Sequence, residues 1–256
     1  MKTKNKTLFI LTLVFFILYI ITSCKDDEEA TPIVPEQNTG TPCSGMPTVE
    51  YGGQTYHTVQ IGDQCWMREN LNIGILILAT DTLKNNDTIE KYCYQNNAAN
   101  CEKYGGLYTW TELLNYNDSI TQGICPDGWH IPSDMDWNIL EAELDSMYTI
   151  NDTLWNLQGW RGYNAGGNMK MTGFEEWYDP NVGATNKFGF TAVPAGIIYH
   201  YEASTDKVKN ANYLWTSTTA GETNAWFRLL SYAHADVKRS HTNFENAFSA
   251  RCIKDN

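Results

Sequence analysis

Between Thr223 and Asn246 the chain places Trp226, Arg228, Tyr232, His234, Arg239, His241 and Phe244 among short alternating runs. Aromatic plates beside planar hydrogen-bond donors suit a sugar ring, a peptide or a protein surface. Strand alternation turns about half of such positions into the core, and Trp226 and Phe244 are equally suited to that role. Trp226, Arg228, Tyr232 and Arg239 are the expected ligand contacts.

A second group, His130 with Asp134 and Asp136, has the residue types of a metal or acid–base site. Nothing in the spacing fixes a third ligand, and helix capping accounts for both carboxylates. The chain has no Gly-x-Ser-x-Gly elbow, no phosphate-binding glycine loop and no His-Glu-x-x-His pair. No catalytic residue, metal or cofactor is therefore expected, and the function class is binding rather than catalysis.

Export is read from the first thirty residues. Lys2, Lys4 and Lys6 precede a short apolar run, Leu8 to Ile21, which ends at Thr22-Ser23-Cys24 and is followed by Lys25-Asp26-Asp27-Glu28-Glu29. The run is too short and its far flank too acidic for an ordinary spanning helix. It resembles a bacterial lipoprotein signal peptide over residues 1–23, with Cys24 as the lipidated first residue. The acidic run after Cys24 resembles a surface-export signal, so the outer membrane and the cell surface are the expected address. The periplasmic face is the alternative, and an uncleaved anchor would leave the chain on the same side. Residues 24–47, rich in charge, Pro, Thr and Gly, read as a flexible acidic tether, and residues 48–256 as the folded domain.

Removing residues 1–23 takes away three lysines, leaving 15 basic against 30 acidic residues and moving the formal charge from −12 to −15. Such a chain has no general attraction to phosphate backbones, which excludes nucleic acid as a partner. It carries no polybasic patch for anionic lipid either, so the membrane is expected as a partner through the lipid alone.

Six cysteines follow Cys24: Cys43, Cys65, Cys93, Cys101, Cys125 and Cys252. An even number in an exported chain reads as a disulfide framework, with fifteen pairings open on sequence alone. The favoured set is Cys43–Cys65, Cys93–Cys101 and Cys125–Cys252. The last would tie the final strand to the middle of the chain and contribute roughly 4–5 kcal/mol in the chain-entropy model.

The elements that must position these residues are short. Thr55 to Ile61 alternates as a strand between turn signals at Gly52-Gly53 and Gly62-Asp63, and Cys65-Trp66-Met67 continues the meander. Gly74 to Leu78 is a strand or a buried loop, and Asn85 to Cys101 reads as a polar loop. One helix is expected around Leu107, Trp110, Leu113 and Leu114. A second is capped by Ser133 with Asp136 in a capping box, its stripe being Trp137, Leu140, Leu144 and Met147. Strands are expected at Tyr213–Thr216, Ala225–Tyr232 and Phe248–Ile253. Strands at both ends with two helices between them give an α+β fold with long loops.

Several ordered segments carry a family resemblance. Val59-Gln60-Ile61-Gly62-Asp63-Gln64-Cys65-Trp66-Met67-Arg68-Glu69-Asn70-Leu71 opens the series, and Tyr104-Gly105-Gly106-Leu107-Tyr108-Thr109-Trp110 follows. Then come Gly123-Ile124-Cys125-Pro126-Asp127-Gly128-Trp129-His130-Ile131-Pro132-Ser133, Gly189-Phe190-Thr191-Ala192-Val193-Pro194-Ala195-Gly196 and the closing Ser249-Ala250-Arg251-Cys252-Ile253-Lys254-Asp255. Together they resemble the Fibrobacter succinogenes major paralogous domain over nearly everything from Val49 onward. The resemblance implies a C-type-lectin-like mixed fold of the formylglycine-generating-enzyme branch. Its two termini would meet in one sheet, with a helix on each side and a loop-rich part displaying a ligand face.

Within that resemblance, the segment matching the sugar- and calcium-binding proline motif of lectins reads Val193-Pro194-Ala195, which offers no ligand oxygens. Formylglycine-type catalysis needs free thiols, and every domain cysteine has a bridge partner in the favoured set. Carbohydrate is the ligand class the fold analogy implies. Another surface protein is the first alternative, and an enzyme with an unrecognised site the second. Asp81-Thr82-Leu83, Asp87-Thr88-Ile89, Asp118-Ser119-Ile120, Asp145-Ser146-Met147 and Asp152-Thr153-Leu154 each resemble an Asp-Ser/Thr-apolar sequon for bacterial O-glycosylation.

Overall fold

The turn signals near the start of the domain fold as read. Tyr51 pairs with Gln54 across Gly52 and Gly53, both at positive φ (56° and 79°), which a tight two-residue hairpin turn demands. Gly62 (φ 56°) does the same between Ile61 and Gln64. The computed structural model describes residues 37–200 and 204–256. Residues 1–23, Cys24 and the first part of the tether lie outside them.

Two sheets organise the chain. The first runs β1 (Thr48–Tyr51), β2 (Gln54–Ile61), β3 (Gln64–Met67), β15 (Ile253–Lys254) and β7 (Trp129–His130). Ile253 sits between Trp66 and His130, so the two ends of the domain meet in one sheet. The second runs β6 (Leu107–Tyr108), β14 (Phe248–Ser249), β11 (Ala211–Thr219), β12 (Asn224–Ser231), β13 (Val237–Asn243) and β8 (Gly159–Arg161). Among the described residues two small ribbons complete the set: β4 (Ile75–Leu76) parallel to β5 (Glu90–Lys91), and β9 (Ile197–Tyr199) antiparallel to β10 (Ser204–Asp206).

The helices among the described residues are α1 (Ala98–Tyr104), α2 (Trp110–Leu113), α3 (Asp134–Leu144) and α4 (Ala165–Met169). In α3 the Ser133 hydroxyl accepts from Asp136 N at 3.2 Å while the Asp136 carboxylate accepts from Ser133 N at 2.8 Å, the expected capping box. Trp137, Leu140 and Leu144 are buried. Trp137 packs on Trp66 of β3 and on Phe190, with ring centroids 5.0 and 6.1 Å apart. Met147 leaves the stripe: the helix ends at Leu144, and Met147 is 59% exposed. On the other side of the second sheet, Trp215, Phe227 and Phe248 form the larger core, Trp215 stacking on Phe248 at 4.3 Å. The fold is α+β.

Three readings are corrected. The first helix is a single turn, because Leu107 pairs in β6 with Ser249 and only Trp110 onward is helical. The polar loop from Asn85 to Cys101 contains β5 and the start of α1, whose first turn is capped when the Asn97 side-chain Oδ1 accepts from Ala99 N at 3.0 Å. Residues 37–47 of the expected tether lie against the domain. Gln37 exchanges two 3.0 Å hydrogen bonds with the Thr172 backbone, and Thr41 O accepts from Gln60 N at 2.8 Å. The space around Gly40 explains the fit, since an added Cβ would meet Phe188 O at 2.2 Å.

All six domain cysteines are paired, as Cys43–Cys65, Cys93–Cys101 and Cys125–Cys252, with Cα separations of 5.7, 5.2 and 6.0 Å. These lie within the ordinary range for a disulfide. The first pins the N-terminal segment to β3, and the last joins the loop before β7 to the segment before β15.

Candidate functional site

Of the four expected ligand contacts, two are not at the surface. Arg228 lies in the middle of β12 on the face covered by α3 and is fully buried. Its guanidinium donates to Asp134 Oδ1 at 2.7 Å, to Asn138 Oδ1 at 2.9 Å and to Glu141 Oε1. Arg239, its neighbour on β13, closes a fork on both Asp134 carboxylate oxygens at 2.8 to 3.1 Å. Arg161 of β8 completes the group, 3.1 Å from Glu141.

The sequence logic of this cluster is helical. Asp134, Asn138 and Glu141 recur at intervals of four and three, which places them on one face of α3. That face meets three strands, each supplying one arginine. Buried charge is tolerated because each guanidinium is paired and hydrogen-bonded. Burial would raise the Asp134 carboxyl, but hydrogen bonds from Arg239 and the charge of Arg228 outweigh it and hold it below its ordinary value. Burial draws Arg161 down to about 10 against the pull of Glu141. The cluster ties helix to sheet and presents no group to a ligand.

Trp226 and Tyr232 are half-buried. Trp226 lies beyond the start of α3, its ring capped at 3.4 Å by the Arg239 guanidinium and met edge-on by His241 at 5.2 Å. Tyr232 meets the exposed Tyr178 edge-on at 6.1 Å. His234 stacks flat on Trp160 at 3.7 Å.

His130 links two carboxylates from different elements, Asp255 Oδ1 at 2.6 Å and Asp136 Oδ2 at 3.5 Å. The Asp136 hydrogen bond, opposed by burial and supported by Asp255, holds His130 above the ordinary histidine value. Asp134 points away to the arginines, so the trio seen in the sequence is split. No group of three His, Cys, Asp or Glu among the described residues is placed to hold a metal ion. Lys170, missed in the sequence, is buried with its three donors on the carbonyls of Val182, Ser231 and His234 at 2.7 to 2.9 Å. Burial pushes it down to about 7, and its hydrogen bonds tie the end of α4 to the loop at Val182 and to the end of β12 and the turn after it.

Two clefts also went unseen in the sequence, and both use Thr111 as a wall. One, of about 230 Å³, is lined by Asp81, Tyr92, Thr109, His200 and Glu245 among others. The second, of about 250 Å³, is walled by Trp110, Leu114, Tyr116 and Phe244. Five distant segments build them. The Thr109 hydroxyl accepts from Glu112 N at 3.4 Å to start α2, and Trp110 N donates to Phe244 O at 2.8 Å. Tyr92, next to the Cys93–Cys101 bridge, donates its hydroxyl to Asp81 O at 2.7 Å. Glu245 reaches His200 at 2.8 Å. Trp110 is buried and stacks at 4.2 Å beneath the half-buried Phe244 ring.

The family model described as the Fibrobacter succinogenes major domain matches residues 59–254. No curated protein and no solved structure matches the chain significantly. Residues in the matching segments do structural work: Trp66 is fully buried, Asn70 donates to Tyr104 O at 2.9 Å, and Arg251 reaches Asn70 Oδ1 at 3.0 Å and Phe190 O at 2.6 Å. With about three quarters of its length spanned by that model, the chain belongs to the Fibrobacter succinogenes major domain family.

Proposed function

We propose that this is an exported binding protein, lipid-anchored through Cys24 at the outer membrane and facing the cell surface, whose ligand is a carbohydrate. The signal-peptide pattern of residues 1–24 and the disulfides support the address, since such bridges persist in oxidising compartments. One observation carries the binding reading. The described surface sets half-exposed aromatic rings beside hydroxyl, carboxylate and imidazole groups, while the densest charge cluster is spent on internal ion pairs. Rings that stack on the apolar face of a sugar, with polar groups beside them for its hydroxyls, are what carbohydrate recognition requires.

A glycan array probed with the mature chain, from Cys24 onward with Cys24→Ala, tests this. Reproducible, competable binding to a related set of glycans is the expected result. A blank array together with capture of one outer-membrane protein from a surface extract would replace carbohydrate with a protein ligand.

A further inference from the structure

The paired clefts at Thr111 point to one ligand site, and we infer that they take a neutral saccharide, one ring in each. This rests on the carbohydrate reading above but not on Trp226, which lines neither cleft. The two halves are chemically different, and the difference matches a sugar. In the second cleft the Phe244 ring, held flat by Trp110 beneath it, offers an apolar plate. In the first, Thr80, Asp81, Thr109, Thr111, His200 and Glu245 offer hydroxyl, carboxylate and imidazole groups. Sugars present both surfaces, C–H faces to stack and hydroxyls to hydrogen-bond.

Charge narrows the class. Among the described residues no Lys or Arg lines either cleft, whereas Asp81, Glu245 and Asp118 do. A sulfated, phosphorylated or uronic ligand would meet like charge without a compensating cation, which costs affinity. Volume narrows it further: clefts of about 230 and 250 Å³ fall below the range of roughly 300–1,000 Å³ for drug-sized ligands. Each has room for a single ring. The walls are pinned by the Cys93–Cys101 bridge and by Asn246, whose side chain donates to Thr242 Oγ1 at 2.8 Å and accepts from His200 N at 3.2 Å. A site held this way is largely formed before the ligand arrives.

The test uses the mature Cys24→Ala chain and an array of neutral glucans, mannans and xylans with sulfated and uronic counterparts, followed by titration calorimetry with the tightest neutral oligosaccharide. Four variants are compared: Phe244→Ala, Asp81→Asn with Glu245→Gln, Thr111→Trp to fill the shared wall, and Trp226→Ala. Asp81 and Glu245 are exposed, so their variant keeps the fold even if Thr111→Trp does not, and near-ultraviolet dichroism verifies each. The expected result is neutral binders only, at least tenfold weaker binding in the first three variants and unchanged binding in Trp226→Ala. Glycan binding lost in Trp226→Ala but kept in the Asp81→Asn, Glu245→Gln and Phe244→Ala variants overturns the cleft and leaves the carbohydrate reading standing. Preference for sulfated or uronic glycans overturns the ligand class. An array without binders overturns both.

Discussion

Arg228 and Asp134 form an ion pair at 2.7 Å in which the arginine side chain is wholly removed from solvent. The pair joins the first residue of α3 to the central strand of the larger sheet. Removing one partner leaves the other charged and buried, which costs about 3–5 kcal/mol. Arg228→Ala is therefore expected to lower the unfolding free energy by about that amount in urea titration. A loss no larger than that of an exposed substitution, within roughly 0.5 kcal/mol, would show the cluster to be dispensable.

Stability should depend on pH through His130. Its pKa is higher folded than unfolded, so its contribution is complete below about 6.5 and is lost as the pH climbs through the folded value. Asp136 behaves oppositely: burial raises its carboxyl, but hydrogen bonds from His130 and Ser133 win and leave it below 3.8. Its contribution is present above that value and fades as the pH falls through the lowered one. Melting temperature should thus decline as the pH rises above about 6.5 through the folded value, and His130→Gln should flatten that decline. An unchanged slope in His130→Gln would place the cause elsewhere.

How much of this was legible in the sequence depended on distance along the chain. The α3 helix could be read because its cap, box and apolar stripe fall within a dozen residues. The glycine turns and favoured disulfides were legible for the same local reasons or through the family resemblance. Arg228 was not, since strand alternation gives two faces but not which one a helix will cover. Met147 has the right spacing, but Asp145 accepts from its backbone N–H at 2.9 Å where the helix has ended. The clefts were invisible because residues near positions 81, 92, 110, 200 and 245 converge only in three dimensions.

The disulfides should differ in worth. Closing about 127 residues, Cys125–Cys252 should contribute near 5 kcal/mol, against roughly 2–3 kcal/mol for Cys93–Cys101 with a separation of 8. Paired Cys→Ser variants in guanidinium titrations measure the difference. The Cys93–Cys101 pair borders the first cleft through Tyr92, so its loss should weaken glycan binding more than its small stability cost suggests. Equal destabilisation by both pairs would contradict the loop-length argument.

The five Asp-Ser/Thr-apolar tripeptides gain a ranking from the structure. Thr82, Thr88, Ser119, Ser146 and Thr153 are all exposed, and the apolar third residues Ile120 and Met147 are 53% and 59% exposed as well. Leu83 is buried, which leaves less of that motif open to a modifying enzyme. If native protein carries O-glycans, Ser119 and Ser146 should be occupied first, as peptide mapping would show. An intact mass equal to polypeptide plus lipid rules the modification out.

The central claim is an exported, lipid-held and disulfide-braced binding domain, and mass spectrometry of the protein from its own cells tests it most directly. Alkylation before reduction should add nothing, alkylation after reduction should add six groups, and the N-terminal peptide should begin at Cys24 with acyl chains attached. Free thiols at Cys125 and Cys252 together with an unacylated chain still beginning at Met1 would contradict both the brace and the address.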